Sequence, residues 1–78
     1  MIRLTETLEK LSTARKYVVD GERFVSRQKA YLDKLDLTGK DTADAEDYLG
    51  TLEDMQIMYE EHLERLEAQV LFMVKPLD

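Results

Sequence analysis

A seven-residue recurrence of apolar side chains runs through nearly the whole chain and breaks once, at LTGKDT around Gly39. Before the break it reads Leu4, Leu11, Val18, Val25 and Leu32, interleaved with Ala14, Gly21, Gln28 and Leu35. After it come Leu49, Gln56, Leu63 and Val70, interleaved with Ala45, Leu52, Tyr59, Leu66 and Met73. A period of seven held over about four heptads keeps one narrow stripe of each α-helix against a partner helix and imposes a left-handed supercoil. The expected fold is therefore all-α, an antiparallel two-helix hairpin with heptad packing.

The break reads as a turn. Gly39 can take the left-handed conformation that closes a helix, and Asp41 stands where it can cap the next. Asp44 follows three residues later in the capping-box place, with Thr42 as a second candidate cap. Pro76 is expected to stop the second helix. The reading is one domain over residues 1–78, with a helix from Thr5 to Leu37, a turn over 38–41, a helix from Thr42 to Met73 and a short C-terminal tail. So short a connection makes the helices antiparallel. A turn centred on Gly39 and Lys40 puts Gly21 opposite Tyr59, where the missing side chain makes room for the ring. That room would offset the roughly 1 kcal/mol that a mid-helix glycine costs relative to alanine. A hinge at Gly21 is the functional alternative.

Seventy-eight residues form one small domain, near the size at which a lone core barely suffices. The absence of cysteine excludes disulfides and thiolate metal sites. The opening MIRLTETLEK has no apolar run and already carries Glu6 and Glu9, unlike a secretory or transit segment. Val70 to Val74, the longest apolar run, is far too short to span a bilayer, so a soluble cytoplasmic protein is expected. The 11 basic and 17 acidic residues are unevenly placed. Residues 1–37 hold eight Lys/Arg and six Asp/Glu, whereas residues 38–78 hold three and eleven, an asymmetry that reads as attraction between the two halves, with a separate partner for each half as the alternative. Duplex nucleic acid, which needs a basic stripe, is not an expected partner.

Apolar residues also lie outside the stripe. Tyr17, Phe24 and Tyr31 form a second seven-residue line on the first helix; Tyr48, Met55, His62 and Gln69 form one on the second, where MQIMYEEH adds Ile57 and Met58 on yet another side. A hairpin buries only the surface between its helices, and an apolar strip left over marks an interface. The economical cover is a second copy related by a two-fold axis, giving a four-helix bundle in which Leu71, Phe72, Met73 and Val74 close one end. The expected interface thus takes in Tyr17, Phe24, Tyr31, Tyr48, Met55, Gln56, Ile57, Met58, Tyr59, His62 and Phe72. A helix of a different protein, or a monomer that tolerates the strip, are the alternatives. Gln28 and Gln56 interrupt apolar lines, so their amides either find partners and fix register or lie at a wet edge.

Catalytic chemistry has little to stand on. His62 has Met58, Tyr59, Arg65 and Leu66 at helical spacing, with no Glu-x-x-His pair, which suits a packed interface histidine better than a ligand. If a two-fold axis brings two copies of His62 together, protonation would weaken association near about pH 5.5. Glu46, Glu53, Glu60 and Glu67 recur every seven residues as a solvated flank facing Arg15, Lys29 and other bases of the first helix. No phosphate loop, calcium loop or nucleophile beside a base occurs, and Ser12 and Ser26 fall in the polar phase. The expectation is no catalytic, metal or cofactor site. The chain reads as a non-enzymatic protein-protein interaction module, a homodimeric helical bundle, with an adaptor or small chaperone-like subunit as the second reading and a His62-based sensor as a third.

The stretch Val18 to Asp54 also carries Gly21, Glu22, Val25, Arg27, Gln28, Leu32, Leu35, Gly39, Asp41, Thr42, Ala45 and Leu49 in the pattern GE..V.RQ...L..L...G.DT..A...L. In this it resembles a group of short, uncharacterised bacterial proteins of unknown function. The resemblance implies a bacterial origin and a helical hairpin, and brings no activity with it.

Overall fold

A computed structural model of the protein describes residues 4–74. Two helices, α1 (Leu4–Leu37) and α2 (Ala43–Val74), pack side by side as an antiparallel hairpin of 63 × 20 × 14 Å. Three of the four helix bounds differ by one residue from those read in the sequence. The second helix runs on through Val74, so Leu71 to Val74 are its last turn; Pro76 and the tail beyond lie outside the described residues.

Gly39 closes α1 as expected. It adopts φ +70°, and the chain folds back so that its amide donates to Asp36 O (3.1 Å) while the Lys40 amide donates to Leu35 O (2.9 Å). This paired arrangement is the Schellman closure of a helix, which occupies carbonyls that the helix would otherwise leave unpaired. Nothing lies within 4 Å of where a Gly39 side chain would be, so the demand is conformational alone. Gly39→Ala is expected to lower stability by about 1 kcal/mol through left-handed strain. Thermal denaturation reads this as a fall of several degrees, and an unshifted melting point would contradict it.

The start of α2 departs from the expected capping box. Thr42, not Asp41, holds the N-cap position, because its carbonyl accepts the first helical bond from the Glu46 amide at 2.8 Å. Asp41 stands one residue outside and accepts from the Ala43 amide at 3.0 Å. The Thr42 hydroxyl donates to the Glu46 carboxylate at 3.2 Å, a place where negative charge is favoured by the helix dipole. The closure of α1 reaches Lys40, which leaves Asp41 as the bridge between helices; Ala45, not Asp44, then falls three residues after the cap.

The helix interface follows the two interleaved lines. Writing a for the line through Leu11 and Leu63 and d for that through Ala14 and Leu66, the described a and d residues are buried or half-buried, except Leu4 at the α1 start. Leu11, Ala14 and Leu66 form the fully buried cluster, with Leu63 and Val70 packed on it, so the core sits toward the end remote from the turn. Thr7, 1% exposed, extends the d line by one heptad and was not read as core because a threonine does not register as apolar.

Gly21 faces Tyr59 as expected, and a second residue, Gln56, lies closer still. A side chain there would first meet the carboxamide of Gln56 and only then Tyr59 Cδ2, at 3.4 Å. Gly21 thus sits between Gln56 and Tyr59, successive seam residues of α2 less than one turn apart. The glycine makes room for an amide as well as for the edge of the ring. Gln56 Nε2 donates to Val18 O at 2.9 Å, and Gln28 Nε2 donates reciprocally to Ala45 O at 3.0 Å, so each helix reaches into the backbone of the other. Neither glutamine lies at a wet edge. Gln56 Oε1, however, is buried without a hydrogen-bond partner. The orphaned acceptor costs about 1–3 kcal/mol and the amide bond returns about 1 kcal/mol. Gln56→Met, of similar shape, is therefore expected to raise stability by about 1 kcal/mol. A melting temperature lowered by several degrees would contradict it.

Candidate interaction surface

Beside the a and d lines, each helix has two flanks, and the hairpin brings like flanks together. On one side the e positions of α1, among them Arg15, Glu22 and Lys29, run beside Glu46, Glu53, Glu60 and Glu67 of α2. On the other, the g positions Tyr17, Phe24 and Tyr31 run beside Tyr48, Met55 and His62. The molecule therefore has one charged edge and one aromatic edge.

The charged edge does little for stability. Among the described residues its one ion pair, Arg15 Nη2 to Glu67 Oε2, spans 4.0 Å between side chains that are 61% and 46% exposed. An exposed pair of this length contributes well under about 1 kcal/mol. The expected partnership of the glutamate line with helix 1 bases is met by Arg15 and not by Lys29.

The aromatic edge is continuous. Tyr17 and Tyr59 stack across the helices with ring centroids 5.7 Å apart and planes 23° from parallel. Next to this stack an open groove of about 360 Å³ is lined by Tyr17, Asp20, Gly21, Phe24, Tyr48, Leu52, Met55 and Tyr59. Tyr17, Phe24, Tyr31 and Tyr48 remain 52–56% exposed and Met55 39%. At about 200 Å² for each such side chain, these five alone present roughly 500 Å² of contiguous apolar surface, toward the top of what an ordinary monomer shows. Tyr31 continues the line toward the turn without entering the groove.

Beyond Tyr59 the strip extends to Met58 and His62, which share a shallow depression with Tyr17, Glu61 and Arg65. His62 also borders a depression walled by Glu6, Glu9, Lys10 and Thr13 of α1, of which Glu6 and Glu9 are carboxylates. Among the described residues no three His, Asp or Glu side chains gather as ligands for a metal ion.

Three residues of the expected interface lie off the aromatic groove. Gln56 is 9% exposed and belongs to the seam within the hairpin. Ile57 is exposed on the opposite edge, where it lines a depression with Glu22, Val25, Ser26, Glu53 and Glu60. Two residues past Met55 is about 200° around the helix, so one face cannot carry both. Phe72, 82% exposed, stands with Leu71 at the α2 end, separate from the groove. Conversely Asp20 and Leu52 line the groove although the sequence does not mark them for it: Leu52 falls in the seam line, and Asp20 is visible only as the residue four before Phe24.

No described helix is long and apolar enough to cross a membrane. No family model, curated protein or solved structure matches the chain.

Proposed function

We propose that the protein is a non-enzymatic, cytoplasmic interaction module that works as a homodimeric helical bundle, with the aromatic edge closed against a second copy. The observation that carries this is the contiguous, half-exposed row of Tyr17, Phe24, Tyr31, Tyr48 and Met55 along one edge of a hairpin whose own core is a thin stripe. Its area, together with the polar residues around it, approaches the roughly 800 Å² per partner of a stable interface. Pairing two hairpins would also double the number of helices around the aromatic side chains, which supports a chain near the lower size limit for a lone core. The second reading, an adaptor that receives a helix of another protein, is favoured by the open groove beside Gly21, which suits an inserted ridge of side chains.

Two differently tagged copies expressed together distinguish the readings. Self-association predicts that affinity capture of one tag recovers the other copy too, at about half the amount of the captured one when equally expressed copies pair at random. Recovery of the captured copy alone would remove the homodimer.

A further inference from the structure

We propose that the groove on the aromatic edge binds a small organic cation, an ammonium group carrying alkyl substituents. The groove is built within one hairpin, so the site goes beyond self-association and does not depend on it. A second copy closing the same edge competes with the cation.

The lining has what such a cation requires. Tyr17, Phe24, Tyr48 and Tyr59, four of the six aromatic side chains in the chain, are brought to one concavity by the two helices together. The face of each ring carries the negative part of its quadrupole, and a cation within about 6 Å of the ring centroid is drawn to it, most strongly where water is displaced. Tyr17 and Tyr59, stacked at 5.7 Å, form one wall, and Gly21 adds only backbone to the lining. A volume of about 360 Å³ lies in the lower part of the range for small-molecule sites.

Charge decides which kind of molecule fits. Asp20 is the one charged residue of the lining, and no Lys or Arg stands beside it there. It is half-buried and, among the described residues, has neither an ion-pair nor a hydrogen-bond partner. A neutral occupant would strip water from this carboxylate and give nothing back, which costs free energy. A cation restores the lost interaction, and the net charge of −6 acts in the same direction.

Alkylation suits the rest of the groove. A primary ammonium brings three N–H donors, for which the lining holds one carboxylate. Replacing those hydrogens with methyl groups removes the unmet donors and leaves a cation whose apolar surface packs on the ring faces.

Choline chloride is the probe, followed through its N-methyl proton resonance, with 3,3-dimethylbutan-1-ol as the uncharged molecule of the same shape. Ring currents should move the choline methyl signal upfield in a saturable way, with choline binding at least about ten-fold more tightly than the alcohol. Asp20→Asn, which lies outside the Leu11, Ala14 and Leu66 core, should reduce that preference about three-fold or more. Repeating the titration in Tyr31→Glu removes competition by a second copy, because Tyr31 lies on the aromatic edge but not in the groove. Tighter choline binding in Tyr31→Glu than in the unaltered protein supports both the site and the homodimer. Equal, saturable binding in the two supports the site and takes the second copy off the groove. Equal affinity for choline and the alcohol would overturn the cation site, and so would the absence of a saturable shift in both proteins.

Discussion

Gly21→Leu is expected to lower the melting temperature by roughly 10–20 °C, at several degrees per kcal/mol for a domain of this size. The space a side chain would enter is already held by the Gln56 carboxamide, with Tyr59 behind it at 3.4 Å. Leucine must therefore expel the amide, break its 2.9 Å bond to Val18 O and press on the tyrosine. Overpacking of this kind costs about 1–3 kcal/mol, and the lost hydrogen bond about 1 kcal/mol more. Better helix propensity returns less than about 1 kcal/mol, so the loss prevails. Gly21→Ala separates the contributions. A lone methyl displaces the flexible end of Gln56 but gains about 1 kcal/mol in helix propensity, and the two effects nearly cancel. Melting curves of both variants at one protein concentration check the account. An unchanged melting point for Gly21→Leu would mean that the register across the seam is wrong.

Phe24→Glu is expected to dissociate the dimer while leaving the hairpin folded. Phe24 lies outside the a and d lines and is 52% exposed, so its replacement removes nothing from the Leu11, Ala14 and Leu66 core. In the bundle, two copies would each lose an apolar contact of about 1 kcal/mol and place an unpaired carboxylate in a closing apolar surface. Together the penalties come to roughly 4 kcal/mol, about a thousand-fold in the dissociation constant. Ile57→Glu supplies the control, because Ile57 projects from the opposite edge among Glu53 and Glu60. It should change association by less than about two-fold. Light scattering and far-ultraviolet circular dichroism on the two variants decide the matter. Persistence of the dimer in Phe24→Glu, or its loss in Ile57→Glu, would place the interface on another face.

The two helices, their antiparallel order and nearly every seam residue were legible in the sequence because a strict period of seven leaves little choice of which side chains face inward. The turn was legible in kind and not in detail. Gly39, Asp41 and Thr42 all have roles in it, but which residue caps α2 depends on how many residues the closure of α1 consumes, and that is a matter of backbone geometry. Gly21 was legible as the space beside Tyr59, but the closer approach of the Gln56 carboxamide depends on side-chain rotamers that the pattern does not carry. Thr7 was missed because its burial follows from position and not from polarity. Ile57 was grouped with Met55 because both stand in one dense apolar stretch, although the helical angle between them separates the faces. The aromatic line itself, Tyr17 through Tyr31 and Tyr48 through Met55, was visible because bulky side chains recurring beside a complete seam have no partner within a hairpin.

Sedimentation equilibrium over a wide concentration range tests most directly whether a second copy covers that line. The account predicts a mass of twice 9.1 kDa that falls toward one chain only on strong dilution. A single-chain mass at every concentration would contradict it and leave the aromatic edge open to a helix of another protein.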